Sequence, residues 1–391
     1  MKRWKAATLS IFVCLNFVLC FFTVSLVYRK HSSVHIHQND YGSEQDSPEK
    51  HRVSTLHPSI SHANARESSV ARSRLDHMHM RANALPQKAT YNSASSPTKQ
   101  DQSRLASLHY TLTPNKVHCT SGTKLLIAVC SSLDNFDRRE AIRSTWGNRT
   151  FLEHFNVSVV FIVALPRPEN QYLQDYLFKE YINFGDIVQL NHTDHYKNLS
   201  LKSMGMLLWT VEHCRTVRYL LKTDDDVFVN VPNLVNLLGE KSYADRSGFI
   251  LGSIIQAAQP VRNRLSKWFT PESVYRYDSY PLYASGTAYL ISQDVVTNMC
   301  SLMKNRMHSI FWLEDVFLTG ILAKDLDVEL IHDDRFNFQK KRRNPCWYST
   351  AFTEHDQSPE DLLKIWNSAQ VNSELSGLQW TGCQTNSTLL L

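Results

Sequence analysis

No two of the eight cysteines in this 391-residue chain stand in C-x-x-C spacing, which argues against a structural zinc site. No internal repeat is found. A composition of 42% hydrophobic and 20% charged residues excludes both a wholly disordered chain and a multi-span membrane protein. A basic excess is also lacking where the chain would fold. The first 28 residues carry Lys2, Arg3 and Lys5 and no acid, residues 29–118 hold 12 Lys/Arg against 7 Asp/Glu, and the remainder holds 27 against 30. Nucleic-acid-binding domains carry their basic face on the folded part, so nucleic acid is set aside as a partner.

What is present begins with one apolar run. Residues 6–28 are uncharged, and 23 residues in a helix reach about 34 Å, enough to cross a hydrocarbon core of about 30 Å. The run ends without small residues at a cleavage position and is therefore expected to be an uncleaved transmembrane signal anchor. Residues 1–5 would be a cytoplasmic tail, with Lys2, Arg3 and Lys5 favouring that orientation and the rest of the chain lumenal. Five N-x-Ser/Thr sequons, at Asn148, Asn156, Asn191, Asn198 and Asn386, all lie beyond residue 118 and are candidate glycosylation sites. Outside the apolar run stand Cys119, Cys130, Cys214, Cys300, Cys346 and Cys383, an even number that suits three disulfides in an oxidising compartment, with the pairing open. Residues 29–118 are rich in polar side chains, hold 10 of the 17 histidines and show no sustained apolar period. They are expected to form a flexible stem, the scattered histidines fitting a metal-binding tract less well. Residues 119–391 remain as the expected folded, lumenal domain.

In that domain short apolar runs alternate with amphipathic segments. Residues 125–130, 157–164, 187–190, 219–222 and 249–254 are expected as strands, and residues 138–146, 169–181, 201–214 and 232–238 as helices. The alternation predicts an α/β fold, a mostly parallel sheet flanked by helices. Ligands bind such sheets at the carboxyl ends of the strands.

Four segments carry candidate chemistry. Asp224, Asp225 and Asp226 follow an apolar strand and Lys222. Clustered carboxylates suit Mg²⁺ or Mn²⁺ holding a diphosphate, or else form a solvated helix-capping turn. Glu314 and Asp315 interrupt an apolar segment, where one can act as a general base or both can serve as caps and arginine partners. Arg138 and Arg143 stand at a strand-to-helix junction, a place for phosphate or for buried ion pairs. Trp268, Tyr283 and Gly286 belong to aromatic and small-residue stretches that suit a sugar face or a hydrophobic hairpin.

Taken in order, residues 138–146 (RREAIRSTW), 222–229 (KTDDDVFV), 280–287 (YPLYASGT) and 314–320 (EDVFLTG) resemble the β-1,3-glycosyltransferases of glycosyltransferase family 31, over roughly residues 122–370. The resemblance implies a GT-A-like fold, a UDP-sugar donor, Mn²⁺, inversion at the anomeric carbon, and a Golgi type II layout with the anchor in the membrane. It implies Asp226 as metal ligand and Asp315 as catalytic base. On the donor side it implies Arg138, Arg143, Lys222, Asp224, Asp225 and Gly286, and on the acceptor side Trp268, Tyr283 and Glu314. Many relatives place a metal-ligating histidine after the last core strand; here residues 332–338 offer His332, with Phe338 near the aligned position. Residues 344–366 and Cys383 resemble the galactosyl members more than the N-acetylglucosaminyl ones, so galactose on a glycoprotein or glycolipid acceptor is the expected transfer. The competing classes are a non-catalytic, cation-dependent glycan-binding type II protein and a glycosidase. The first would not require the pair at 314–315, and the second would not require a metal-diphosphate motif.

Overall fold

Every residue of Leu125–Cys130 is buried, as befits a strand covered on both faces. The computed structural model describes residues 99–114, 119, 122–305, 309–339, 345–372 and 377–380, all within one compact unit, Leu75–Leu391. Its strands are β1 (Tyr110–Leu112), β2 (Leu125–Cys130), β3 (Val157–Leu165), β4 (Ile187–Thr193), β5 (Tyr219–Asp224), β6 (Phe228–Val229), β7 (Phe249–Ile255), β8 (Tyr283–Ser292), β9 (Glu329–His332), β10 (Phe336–Asn337) and β11 (Thr353–Glu354), with β12 (Ala369–Asn372) and β13 (Gly377–Trp380) forming a separate antiparallel pair. The main sheet has the order β1-β4-β3-β2-β5-β8-β7-β9. Strands β4, β3, β2 and β5 run parallel, as do β7 and β9, while β1 and β8 run antiparallel to their neighbours. A second, three-stranded sheet joins β10, β11 and β6.

The helices are α1 (Lys99–Ala106), α2 (Phe136–Arg143), α3 (Arg149–Glu153), α4 (Leu173–Phe184), α5 (Leu199–His213), α6 (Val231–Gly239), α7 (Gln293–Asn305) and α8 (Pro359–Ser368). Alternation along β2 sends Leu125, Ile127 and Val129 into one core and Leu126, Ala128 and Cys130 into the other. The first core is closed by α2, α4, α6 and α8, and the second by α5, α7 and the π-helical segment Val316–Leu322. The expected parallel, helix-flanked sheet is thus present, with β8 and α7 as unforeseen additions. Strand β8 separates β5 from β7 in the sheet and brings Gly286 beside the end of β5.

Three expectations need correction or fall elsewhere. Residues 99–114 do not belong to a flexible stem, because α1 and β1 are tied to the domain. Arg104 Nη2 donates to Asn198 Oδ1 (2.7 Å), and Asn191 accepts from the His109 amide and donates to the Ser107 carbonyl, both at 2.8 Å. Side-chain amides and an edge-strand pairing do the work that apolar periodicity would otherwise signal. Three disulfides are not formed, since Cys119 pairs with Cys214 while Cys130 and Cys300 are buried free thiols. Burial pushes the Cys130 thiol up to about 11 and the Cys300 thiol up to about 12, so both stay protonated. The anchor at 6–28 and residues 29–98 lie outside the described residues, and among the described residues no helix is long and apolar enough to cross a membrane.

The Cys119–Cys214 bond closes a sequence separation of 95 residues. Chain-entropy arguments give a bridge of that span about 2–4 kcal/mol. Cys119→Ala/Cys214→Ala is expected to lower the unfolding free energy by that amount in urea titrations, and reducing agent should reproduce the loss in the wild type.

Candidate active site

The loop leaving β2 is held from beneath by buried cations. Arg139, with no exposed surface, pairs both oxygens of Glu180 at 2.8 Å and donates to Ser131 Oγ (2.9 Å), the Ser132 carbonyl (2.6 Å) and the Leu133 carbonyl (3.1 Å). Lys202 donates to the Ser131 carbonyl and pairs with Asp194, both at 2.8 Å, while Asp194 accepts from the Leu133 amide at 3.1 Å. So fixed, Ser131 Oγ and Asn135 Nδ2 donate to Asp225 Oδ2 at 2.7 and 2.8 Å. Asp225 is buried, and burial raises its carboxyl despite these donors.

At the carboxyl end of β5, Lys222 points inward rather than toward a ligand. Its ammonium donates to Asp224 Oδ1 (2.6 Å) and to the Gly286 carbonyl, and lies 4.0 Å from Glu314 Oε2. Burial pulls this ammonium down, but Asp224 and Glu314 more than offset that and raise it overall. Glu314 is buried as well and accepts from the Tyr289 hydroxyl at 2.5 Å; burial raises it while Lys222 opposes. The resemblance implied Lys222 on the donor side and Glu314 on the acceptor side; the structure buries both and turns them toward each other and toward Asp224, Gly286 and Tyr289. A buried lysine and a buried glutamate satisfy each other's charge, and neither side chain is left at the surface.

The small sheet supplies what the main one lacks. Pairing of β6 with β11 sets Glu354 opposite Phe228, which carries the next residue, His355, to the Asp turn. His355 Nε2 lies 3.6 Å from Asp226 Oδ1. Its Nδ1 is 3.0 Å from the Phe338 carbonyl, an acceptor, so Nδ1 carries a ring proton and Nε2 is the nitrogen turned toward Asp226. Asp226 Oδ1 is buried and accepts no hydrogen bond, and burial raises the carboxyl although His355 opposes. Arg138 Nη1 stands 3.6 Å from Asp226 Oδ2 and 3.9 Å from Asp225 Oδ1.

A buried carboxylate oxygen without a hydrogen bond, 3.6 Å from an imidazole nitrogen, is a donor set that suits a divalent cation. Among the described residues no group of three or more His, Cys, Asp or Glu makes a metal cage alone, so positions remain for phosphate oxygens and water. His332, the histidine offered by the sequence, is engaged elsewhere. Its Nδ1 accepts from the Ile254 amide (3.0 Å) and its Nε2 faces Asp334 (2.9 Å), at the outer end of β9.

Asp315 sits where the π-helical segment meets β8. Oδ1 accepts from the Val316 amide (2.9 Å) and Oδ2 from the Gly286 amide (3.3 Å). A Cβ on Gly286 would stand 3.3 Å from both Asp315 Cβ and Oδ2, which is why glycine is required at this close approach. Burial raises the Asp315 carboxyl. Around it stands an aromatic wall. Tyr283 and Tyr196 both sense the Asp315 charge, Tyr196 senses Asp224 too, and the Trp268 indole hydrogen-bonds Tyr196. Trp312 packs edge-on against Tyr196 at 5.9 Å, and Lys267 lies 4.5 Å above Trp268. Tyr196 and Trp268 are exposed and Tyr283 is half-buried.

The structure thus gathers Arg138, Asp224, Asp225, Asp226, Gly286 and Asp315 at one strand edge. Arg143 is elsewhere, spent on Asp186 (2.8 Å) and Glu180 (2.7 Å) and covered by Phe161 and Phe184. It lines a separate cavity of about 410 Å³ with Asn148 and Asn156, at the amino ends of β2 and β3. Of the sequon residues, Asn148 caps α3 through the Phe151 amide (3.1 Å), exposed Asn156 takes a left-handed φ of 54°, and Asn386 lies outside the described residues. His355 was not singled out from the sequence, and the only pointer to it was the general expectation of a histidine after the last core strand.

Known proteins resemble the chain in this region. A family model described as Galactosyltransferase matches residues 137–334, half of the chain, with His355 beyond its end. β-1,3-Galactosyltransferase 2 of Homo sapiens is 32% identical over 253 residues, 63% of this chain and 59% of that one, so the match spans about three fifths of that relative. Lactosylceramide 1,3-N-acetyl-β-D-glucosaminyltransferase A of Danio rerio is 33% identical over 297 residues, 73% of this chain and 77% of that one. β-1,3-Galactosyltransferase 1 of Mus musculus is 32% identical over 256 residues, 65% and 76%. The crystal structure of galactosyltransferase LGTC with donor and acceptor sugar analogs aligns with 64% of this chain and 98% of its own at 12% identity and a TM-score of 0.30, too slight a likeness to bear on the fold. On the strength of the family match and these relatives, the chain belongs to the galactosyltransferase family, the β-1,3-glycosyltransferases of glycosyltransferase family 31.

Proposed function

We propose that this chain is an inverting, metal-dependent hexosyltransferase that moves galactose from UDP-galactose to the 3-hydroxyl of an acceptor sugar in β linkage. The observation that carries this is the pairing of Asp226 Oδ1, buried without a donor, with the free Nε2 of His355, beside a separate carboxylate, Asp315, that faces an aromatic wall. A binding protein needs the first feature alone. N-Acetylglucosamine is the alternative donor sugar, as the Danio rerio relative's name suggests.

Asp226 and His355 would hold the cation, Mn²⁺ or Mg²⁺, with Asp224 and Asp225 toward the ribose and metal and Arg138 toward the phosphates. Bound there, the ion would act as a Lewis acid on the diphosphate leaving group. Asp315 takes the proton of the acceptor hydroxyl as that oxygen attacks the sugar C1 from the face opposite UDP. Gly286 N–H and Val316 N–H keep its carboxylate aimed, and Trp268 and Tyr283 stack the acceptor ring. Residues 6–28 would anchor the chain in the Golgi membrane as a type II protein, with glycans available to lumenal sequons. The catalytic unit would begin near residue 99 rather than 119.

The test is to incubate the chain with Mn²⁺, UDP-galactose or UDP-N-acetylglucosamine and a panel of β-linked acceptors, and to read product mass. A gain of one hexose is expected; a gain of one N-acetylhexosamine would replace galactose, and Mn²⁺-dependent UDP binding without turnover on any acceptor would favour a binding protein.

A positioned base contributes about 10²–10⁴ in rate, so Asp315→Asn is expected to lose that much kcat while keeping UDP affinity. Because burial raises the Asp315 carboxyl and the base must be ionised, the acid limb of kcat/KM should lie above the ordinary aspartate value of about 4. A limb at or below that value would remove Asp315 from the role.

A further inference from the structure

A lysine inside a sheet needs every proton met, and Lys222 is only 4% exposed. The tetrahedral ammonium donates to Asp224 Oδ1 and to the Gly286 carbonyl, and Glu314 Oε2 stands 4.0 Å away as its second counter-charge. Arginine's planar fork does not match that arrangement. Glu314 is fixed in turn by the Tyr289 hydroxyl, and Tyr289 has no exposed surface. Gly286 takes Lys222 on its carbonyl and offers its amide to Asp315 Oδ2. One buried cation therefore links Asp224, the most open of the three consecutive aspartates, to Asp315 across the β5–β8 pairing.

We propose that Lys222, with Glu314 and Tyr289 behind it, is a positioning clamp that sets the separation between the donor-side carboxylate Asp224 and the base Asp315, touching neither substrate. Stability alone is a poor reason to keep such a group, because buried ion pairs can usually be replaced by apolar residues without loss of stability. The clamp rests on the transferase reading given above.

The experiment separates geometry from folding. Lys222→Met alone strands the Glu314 carboxylate in the core and should lower both the unfolding temperature and kcat. In the double variant Lys222→Met/Glu314→Gln no charge is stranded, so the unfolding temperature should largely recover. A positioning role predicts that kcat stays down about 100-fold, because misplacing reacting groups by about 1 Å costs that much, and that it falls more than the donor KM rises. Recovery of kcat together with stability would overturn the clamp. Should the double variant fail to fold, Tyr289→Phe gives the milder case, with a smaller kcat loss at near-wild-type stability expected and an unchanged kcat counting against the clamp. Hydrogen exchange at the Gly286 amide, faster in each variant, reads the same linkage without turnover. A wild-type chain that transfers no sugar would thus count against the transferase reading, while unchanged exchange in the variants would overturn the clamp.

Discussion

A charged group removed from water must be given several partners at once, and that requirement shapes the carboxyl edge of this sheet. Lys222, Arg139 and Lys202 are each almost wholly buried there. None can be satisfied by one carboxylate, so each also takes backbone carbonyls, and those carbonyls belong to the segments that form the site. The Ser131–Leu133 loop is pinned by Arg139 and Lys202, and Gly286 by Lys222. The site is rigid because its supports are charged and its surroundings are apolar, where a lost partner is costly.

The antiparallel insertion of β8 matters for the same reason. A wholly parallel sheet would place a strand end beside Asp224; β8 instead passes its middle, with Gly286 at the level of the carboxylates. The small β6–β11 sheet does the corresponding work on the other side of the Asp turn by delivering His355. Two unrelated pieces of chain thus converge on β5, one holding Asp315 through the Gly286 amide and one carrying an imidazole.

Much of this was legible in the sequence, and the failures are physically instructive. Strands β2 and β3 were read correctly because both faces are buried and the apolar run is unbroken. Asp226 and Asp315 drew notice because carboxylates inside apolar runs need a reason to be there, and both stand at the carboxyl edge of the sheet. The same signal pointed to Glu314, Lys222 and Arg143, which the structure turns toward buried counter-ions, since a charged residue at a strand end looks alike whether it faces a ligand or a buried counter-ion. His355 escaped because β6 and β11 have two residues each, too few for any period to show. Segment 99–114 escaped because its apolar anchors, Leu105, Leu108, Tyr110 and Leu112, are few and follow no sustained period, and side-chain amide hydrogen bonds complete the attachment.

The account stands or falls on the metal pair at Asp226 and His355. Pulsed electron paramagnetic resonance of Mn²⁺ with UDP and the protein tests it directly. A nitrogen coupling from one imidazole together with phosphorus couplings from the diphosphate is predicted, the nitrogen signal disappearing in His355→Gln. Phosphorus couplings with no protein nitrogen, or a nitrogen coupling that survives His355→Gln, would contradict it.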